Sequence, residues 1–265
     1  MLTLGIDIGS ASSKAVLLDN GTTVLAESVV EAGTGTSGRA RVISELFEKA
    51  HISWSDIALT VATGYGRSSV KEADRQISEI TCHARGIVFL RPSVRTVIDI
   101  GGQDAKSISL DERGEIKNFF MNDKCAAGTG RFLENMSRIL EIGMGEMEKC
   151  HFRSTHPAHV SSTCAVFAES EIISLLSNGV ERDDIVAGVH QSIAVRACAL
   201  ANRAGVVDDV VMCGGVARDG GVVDAISKNL GRNVYVAPNP QLTGALGAAV
   251  LAFEYAKRNG VSHEQ

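Results

Sequence analysis

The sequence lacks several features that would place it at a membrane or on a nucleic acid. None of its apolar runs approaches the roughly 20 residues of a membrane span. It begins Met1-Leu-Thr-Leu-Gly5 and enters a strand-like pattern at once, without the cationic start of a secretory signal. It also lacks an excess of positive charge, because its 26 lysines and arginines are outnumbered by 31 acidic residues. These absences predict a cytoplasmic protein with neither a membrane nor a nucleic acid as partner.

The six cysteines form no C-x-x-C pair, so their spacing alone indicates no metal site. A reducing cytosol also disfavours a disulfide framework. Cys82, Cys198 and Cys213 fall in helical or strand patterns and are predicted to pack as small hydrophobes. Cys150 falls in a polar stretch, Gly143–His156, which is predicted to be an irregular surface excursion. Cys125 and Cys164 differ, because each lies at or just before the start of a predicted helix.

A three-strand unit occurs twice in the sequence. The first copy runs from Ile6 to Ala26 as strand, tight turn, strand, hairpin turn and strand, and a shift of 92 residues finds the second copy from Ile98 onward. Each copy carries an aspartate in its first strand and a lysine at the same distance beyond it: Asp7 with Lys14, and Asp99 with Lys106. We interpret this as an internal duplication.

Strands alternate with helices in the rest of the chain, which predicts an α/β fold. A helical pattern around Leu46 precedes a strand at Ile57–Ala62, and a second helical pattern ends at Pro92. The boundary between two lobes is therefore predicted near residues 91–94. Further helices are predicted around Leu133, after Cys164, over about 184–204, and from 242 onward.

The duplicated Asp-x-Gly turns allow two interpretations. For either copy alone we would favour a plain tight hairpin. The alternative is a phosphate site, because glycine lets backbone N–H groups approach phosphate oxygens and serine and lysine side chains add donors. Asp7 and Asp99 would then hold the waters of a Mg²⁺ ion. The duplication with its shared lysine favours nucleotide binding.

A third element, Gly214-Gly215, follows a strand predicted at Val210–Cys213. Two glycines there leave a flat backbone surface for adenine, although the pair alone also fits an ordinary strand-to-helix turn. In this order the three elements resemble the actin, Hsp70 and sugar-kinase superfamily. The resemblance implies an α/β protein with two ribonuclease-H-like (actin/Hsp70-type) lobes around an ATP cleft. The implied domains are 1–93 with the first phosphate loop, 94–241 with the second phosphate loop, the adenosine loop and Cys125 and Cys164, and 242–265 as a C-terminal helix connecting back to the first lobe.

The superfamily resemblance also implies the site residues. Asp7 and Asp99 would organise Mg²⁺ and the attacking water, and Gln103 would orient that water or the γ-phosphate. Lys14 and Lys106 are candidates for neutralising phosphate charge. The ATP-binding set is Gly9, Ser10, Ala11, Ser12, Ser13, Lys14, Gly101, Gly102, Gln103, Asp104, Lys106, Gly214, Gly215 and Gln241.

Cys125 and Cys164 each lie at or just before the start of a predicted helix. The positive end of a helix, with its free N–H groups, stabilises an anion such as a thiolate-bound iron–sulfur cluster. The alternative is a pair of buried turn cysteines, which residue propensity alone favours. Two ligands per chain are too few for four thiolates. If both cysteines bind a cluster, a twofold symmetric dimer completes the set.

Four segments carry a narrower resemblance: Asn122-Asp-Lys-Cys-Ala-Ala-Gly-Thr-Gly-Arg-Phe132, Ser161-Ser-Thr-Cys-Ala-Val-Phe-Ala-Glu-Ser-Glu171, Thr63-Gly-Tyr-Gly-Arg67 and Asp99-Ile-Gly-Gly-Gln-Asp104. They are similar to the ATP-dependent activators of 2-hydroxyacyl-CoA dehydratases, BadF/BadG/BcrA/BcrD-type ATPases that include subunits of benzoyl-CoA reductases. The family implies a homodimer with one [4Fe–4S] cluster, each subunit giving Cys125 and Cys164. Ala11 and Ala165 depart from the threonine common in the family, and Ala11 removes one hydroxyl from the phosphate loop.

The family resemblance implies a function that couples ATP hydrolysis to electron transfer. One low-potential electron would pass from a ferredoxin or flavodoxin, through the cluster, to a dehydratase partner. Two rivals remain open at this point. A small-molecule kinase of the same superfamily would keep the phosphate loops and use Asp104 as its base, although no insertion for a sugar-recognition subdomain is evident. An ATP-dependent scaffold would use the cysteines only for packing.

Overall fold

The computed structural model describes residues 1–161 and 164–260. The chain divides into two compact units. Unit 1 comprises residues 1–93, 113–116 and the stretch from Ala237 onward, and unit 2 comprises residues 94–112 and 117–236. Ser162 and Thr163 of the cysteine motif, and the last five residues of the predicted C-terminal segment, lie outside the described residues.

Strands and helices alternate along most of the described chain. In order they are β1 (Leu2–Ile8), β2 (Ser13–Asp19), β3 (Thr23–Val30), α1 (Gly38–Ala50), β4 (Ile57–Thr63), β5 (Arg75–Gln76), α2 (Glu79–Leu90), β6 (Thr96–Ile100), β7 (Ala105–Leu110), β8 (Ile116–Asn122), α3 (Gly130–Leu140), α4 (Met144–Arg153), α5 (Ala165–Ser177), α6 (Arg182–Ala204), β9 (Val210–Cys213), α7 (Gly220–Leu230), β10 (Val234–Val236) and α8 (Thr243–Arg258). The predicted α/β alternation is confirmed.

Each unit contains one five-stranded sheet, and the two sheets share one topology. The strand orders are β3-β2-β1-β4-β5 in unit 1 and β8-β7-β6-β9-β10 in unit 2. In both, the first strand is antiparallel to the second and parallel to the next strand along the sheet, β4 or β9. The cross-strand partners repeat as well: Asp7 lies opposite Lys14, and Asp99 lies opposite Lys106. The predicted duplication is therefore confirmed in strand order and register.

The core of unit 1 lies on both faces of its sheet, so six of the seven residues of β1 are buried although apolar side chains occupy only alternate positions. Helix α8 packs on β1, β4 and α2 through small residues. A Cβ atom at Gly247 would meet the carbonyl oxygen of Cys82, and one at Gly86 would meet that of Thr243. The two helices therefore approach each other backbone to backbone, which only glycine permits at these two positions.

The core of unit 2 packs against the 23-residue helix α6, which is buried at every position from 185 to 190 and buries one face beyond them. Helix α3 buries Phe132, Leu133 and Met136 on one face, as the periodicity predicts. The prediction of an irregular excursion at Gly143–His156 is wrong. Residues 144–153 form α4, which packs against α6 and α7 and buries Met147 and Cys150. Cys150 is thus a core residue.

Among residues 1–161 and 164–260, none of the helices combines the length and the apolarity that crossing a membrane requires.

Candidate nucleotide site and cysteine pair

The first phosphate-loop candidate is the tight turn between β1 and β2. The N–H of Gly9 donates to the carbonyl oxygen of Ser12 at 3.0 Å and closes the turn. Asp7 is buried beneath it, and Lys14 Nζ lies 3.6 Å from Asp7 Oδ2. Ser13 Oγ donates to the carbonyl oxygen of Ala32 at 2.7 Å. The hydroxyl of Ser13 therefore anchors the turn from behind, while Ser10 and Ala11, at its tip, are partly exposed.

The second candidate is the equivalent turn between β6 and β7. The N–H of Gly101 donates to the carbonyl oxygen of Asp104 at 2.9 Å, which reproduces the closure of the first turn. Lys106 Nζ lies 3.0 Å from Asp99 Oδ2 and 2.9 Å from Asp104 Oδ1. Gln103, at the tip of this turn, is exposed, so its side chain reaches solvent, where a ligand would approach.

The loops after β4 and β9 also match between the two units. Thr63 pairs with Asp7, and Cys213 pairs with Asp99. The next residue in each loop is a glycine with φ of +84°, Gly64 in unit 1 and Gly214 in unit 2. A Cβ atom on either glycine would meet the carboxylate of the aspartate on the neighbouring strand, Asp7 or Asp99. Both aspartates are therefore covered by a glycine backbone.

Sequence reasoning missed this second correspondence. It treated Gly214 as part of an adenosine loop, Gly64 only as part of a family motif, and Cys213 only as a packing residue. The thiol of Cys213 donates to Asp99 Oδ1 at 3.6 Å, so it contacts a predicted site residue. The available signal was a glycine directly after a buried strand in both halves, at Thr63-Gly64 and Cys213-Gly214.

The predicted adenosine loop continues into a short 3₁₀ turn at Gly215–Arg218 and then into α7. Asp219 caps α7, because its Oδ1 accepts from the N–H groups of Gly221 at 2.9 Å and Val222 at 3.2 Å. His190 Nε2 lies 3.5 Å from the other oxygen, Oδ2. Burial lowers the pKa of His190 to about 3, with His151 as a smaller cause, and burial raises the pKa of Asp219. Both shifts favour the uncharged forms beneath this turn.

Gln241, the last residue of the predicted ATP-binding set, directly precedes the N-cap residue of α8. Its Nε2 donates to Glu31 Oε1 at 3.4 Å in unit 1.

Cys125 lies in a structured turn between β8 and α3. The Asn122 side chain fixes this turn from both sides, because its Oδ1 accepts from the N–H of Cys125 at 3.3 Å and its Nδ2 donates to the Cys125 carbonyl at 3.1 Å. Helix α3 begins five residues after Cys125. Its first two N–H groups, of Gly130 and Arg131, donate at 2.9 Å to the carbonyl oxygens of Gly101 and Gly102 respectively. The helix after Cys125 is therefore hydrogen-bonded directly to the second turn.

Cys164 is the N-cap residue of α5, as the sequence predicts. Helices α3 and α5 are in contact, and Asn135 Nδ2 donates to Glu169 Oε2 at 3.2 Å across them. Both cysteines are partly exposed, whereas the other four are buried. The side chains just after Cys164 are unusually exposed for apolar residues, at 68% for Val166 and 67% for Phe167.

Comparison with known proteins identifies both the fold class and the family of the chain. It is an ATPase with the fold shared by actin, Hsp70 and sugar kinases. It belongs to the BadF/BadG/BcrA/BcrD ATPase family, whose model matches residues 4–252. The predicted family and fold class are both confirmed.

Three similar proteins illustrate this placement. The activator of lactoyl-CoA dehydratase from Anaerotignum propionicum is 60% identical over 258 residues, covering 97% of this chain and 100% of that protein. The structure of the activator of the 2-hydroxyisocaproyl-CoA dehydratase from Clostridium difficile, with bound ADPNP, has 50% identity and a TM-score of 0.95, covering 98% of this chain and 97% of that one. A ROK family glucokinase from Streptomyces griseus shares the fold alone, at 15% identity and a TM-score of 0.58, covering 96% of this chain and 100% of that one.

These comparisons do not favour the small-molecule kinase alternative, because the two relatives above that share at least half of the sequence are dehydratase activators. The roles assigned to individual site residues stay predictions.

Proposed function

We propose that this ATPase is an electron-transfer activator of a 2-hydroxyacyl-CoA dehydratase or a related CoA-ester reductase. It would accept one electron from a ferredoxin or flavodoxin and deliver it at low potential while hydrolysing MgATP. A [4Fe–4S] cluster shared by two copies of the chain would store that electron between donor and acceptor. ATP is required because raising one electron uphill costs about 1.4 kcal/mol for each 59 mV.

The observation that carries the proposal is the pair of hydrogen bonds between the second turn and α3. Gly101 and Gly102 belong to the predicted phosphate loop, and Gly130 and Arg131 begin the helix that follows Cys125. A change in the loop's backbone when phosphate binds or leaves must either move the helix start or break these bonds. Nucleotide chemistry at the turn and the position of the Cys125 loop are therefore mechanically linked within one unit.

The two partly exposed cysteines, Cys125 and Cys164, suit thiolate ligation better than the four buried ones. Burial raises the pKa values of Cys82 and Cys198 to about 12, so both thiols keep their protons near neutral pH. Cys125 and Cys164 are partly exposed and precede helices that are in contact. Since a [4Fe–4S] cluster takes four thiolates, two such cysteines fit it when a second copy gives the other pair.

The aspartates of the two hairpins are assigned to the hydrolysis step. Asp7 and Asp99 would orient the waters of Mg²⁺, and the exposed Gln103 would align the attacking water or the γ-phosphate. Backbone N–H groups at the tips of both turns would bind phosphate oxygens. The relative solved with bound ADPNP supports nucleotide binding by a chain of this sequence class.

Iron content and ATP hydrolysis, measured on anaerobically purified protein, test the proposal. The expected result is a brown protein with about two irons and two sulfides per chain, matching one [4Fe–4S] cluster per dimer. Cys125→Ser and Cys164→Ser should each lose the cluster, while Cys198→Ala, a buried mid-helix control, should keep it. Colourless protein without iron and sulfide after anaerobic reconstitution contradicts the electron-transfer role and favours an ATP-dependent scaffold.

A further inference from the structure

The two duplicated hairpins differ at one position that changes their charge. The first turn reads Gly9-Ser-Ala-Ser-Ser-Lys14 and the second Gly101-Gly-Gln-Asp-Ala-Lys106. With the shift of 92 residues that relates Asp7 to Asp99, Asp104 stands where the first turn has Ser12. The second turn therefore contains a second carboxylate close to its lysine.

The extra carboxylate changes the environment of the lysine. Lys106 Nζ lies within 3.0 Å of one oxygen of Asp99 and within 2.9 Å of one of Asp104, and its side chain is 2% exposed. Lys14 Nζ lies 3.6 Å from Asp7, and its side chain is 13% exposed. Lys14 Nζ also donates a long hydrogen bond, of 3.5 Å, to the carbonyl oxygen of Ser12. Lys106 is held by two short charged contacts, and Lys14 is held loosely.

The charged atom that lies against the first glycine also differs. A Cβ atom on Gly9 would meet Lys14 Nζ at 3.2 Å, whereas one on Gly101 would meet Asp104 Oδ1 at 2.7 Å. The ammonium of Lys14 thus lies beside Gly9 in the first turn, and the carboxylate of Asp104 lies beside Gly101 in the second. A phosphate approaching the backbone at the tip of each turn is attracted by the ammonium and repelled by the carboxylate.

Moving Lys106 to a phosphate would break two short ion pairs, one with the buried Asp99 and one with the partly exposed Asp104. A buried carboxylate left without its partner strongly destabilises the fold, so moving Lys106 would lower the free energy of unfolding. Lys14 has one carboxylate partner, the buried Asp7, and its distance of 3.6 Å is longer than either contact of Lys106. Its compact ammonium on a flexible stem can therefore turn from Asp7 to a phosphate oxygen with less loss than Lys106.

We infer that the two lysines have different functions: Lys14 contacts the nucleotide phosphates, and Lys106 is a positioning residue that holds Asp99 and Asp104. The inference rests on the proposed MgATP site. It assigns phosphate contact to only one of the two lysines that the sequence offers for it.

Matched variants Lys14→Met and Lys106→Met test the inference, with ADP and adenosine as calorimetric probes. Lys14→Met should weaken ADP binding by about tenfold or more, the loss expected for a charge-assisted contact, and leave adenosine binding unchanged. Lys106→Met should leave ADP affinity within about threefold of wild type and lower kcat for ATP hydrolysis, because Asp99 is displaced. Equal losses of ADP affinity in both variants overturn the inference.

A second measurement without nucleotide separates this inference from the proposed function. In a double-mutant cycle on the free energy of unfolding, Asp104→Asn should recover part of the stability that Lys106→Met loses, because it removes the unpaired carboxylate. Additive effects overturn the positioning role whether or not the wild type binds ADP. Absence of ADP binding by the wild type contradicts the proposed function instead.

If Lys106→Met does not fold, Lys106→Arg can distinguish phosphate contact from positioning instead. It keeps the charge that a phosphate contact needs, but its larger planar fork does not fit the buried space of Lys106. Lower kcat with wild-type ADP affinity supports positioning, and weaker ADP binding with unchanged kcat overturns it.

Discussion

The N–H of Gly130 donates to the carbonyl oxygen of Gly101 at 2.9 Å, which joins the start of α3 to the second hairpin turn. A Cβ atom at Gly130 would lie 3.2 Å from that oxygen and 3.3 Å from the Cα of Gly102. Gly130→Ala should therefore displace the contact by a few tenths of an ångström without filling either site. In the wild type, the proposed coupling predicts that ADP changes the rate at which a chelator removes iron. In Gly130→Ala we expect this effect to weaken, while ADP binding and iron content persist.

Gly143→Ala is the matched control for that variant, because Gly143 also lies at a helix start in unit 2 and a Cβ there meets nothing within 4 Å. It should keep the effect of ADP on iron release. An undiminished ADP effect in Gly130→Ala would remove the hydrogen bond from the coupling path.

Gly64 and Gly214 should be the least replaceable glycines with positive φ. An alanine at φ of +84° costs about 1–2 kcal/mol, and here its Cβ also meets an aspartate carboxylate. We expect either alanine variant to lose at least about 1 kcal/mol more stability than Gly35→Ala or Gly205→Ala, which have positive φ but open space. Urea unfolding measures the difference, and equal losses in all four variants would contradict the steric argument.

Asp7→Asn should separate ATP hydrolysis from cluster binding. The amide keeps the shape of the buried carboxylate but loses the charge assigned to Mg²⁺, so the ATP turnover rate should fall at least about tenfold, or about 1.4 kcal/mol of transition-state stabilisation. Iron content should stay unchanged, because both cysteines lie in unit 2. Asp19→Asn, at the far end of the same hairpin, should retain full hydrolysis. Normal turnover in Asp7→Asn would refute its role.

The buried His190 should make stability depend on pH. Its pKa is lowered from 6.5 to about 3, so below 6.5 the unfolded chain gains a proton that the folded chain does not. The stability that depends on His190 staying neutral is therefore fully present above pH 6.5 and is lost as the pH falls below that value. The raised pKa of Asp219 acts in the opposite sense, because its ionisation in the folded state costs energy as the pH rises.

His190→Leu should therefore flatten the fall in unfolding free energy between about pH 7 and about pH 5. His159→Gln, whose ring is exposed, is the control and should keep the wild-type slope. An identical slope in His190→Leu would show that other groups govern the acid side of the stability curve.

Phe167→Glu tests the shared-cluster arrangement through the dimer. If Cys164 binds a cluster on a twofold axis, the exposed apolar residues just after it lie beside the partner copy. A charge at Phe167 should then shift sedimentation toward monomer and lower the iron content. Phe152→Glu, on α4 and 58% exposed, should change neither quantity. A stable dimer with full iron in Phe167→Glu would place the partner elsewhere.

The hairpins were predictable because their signals are local: alternating apolar residues, a glycine turn, and a lysine at a fixed distance. Helix α4 was missed because only Met147 and Cys150 of its ten residues are buried, so its apolar periodicity is weak. The pairing of Gly64 with Gly214 was also hidden. It depends on β4 and β9 lying beside β1 and β6, and the connections that bring them there differ in length.

Charge assignments inside the hairpins were less predictable than the hairpins themselves. The sequence makes Lys14 and Lys106 equivalent, because both stand at the same distance from an aspartate. The structure separates them through Asp104, whose effect depends on a distance of 2.9 Å across the turn.

The backbone contact between α2 and α8 bears on how this protein can be engineered. Gly86 and Gly247 touch carbonyl groups of the opposite helix, so no change of rotamer nearby makes room for a larger residue. In a saturation library screened for activity, these two sites should accept almost no substitution. They would then resemble catalytic positions in the sequence profile of survivors, although their constraint is purely one of space.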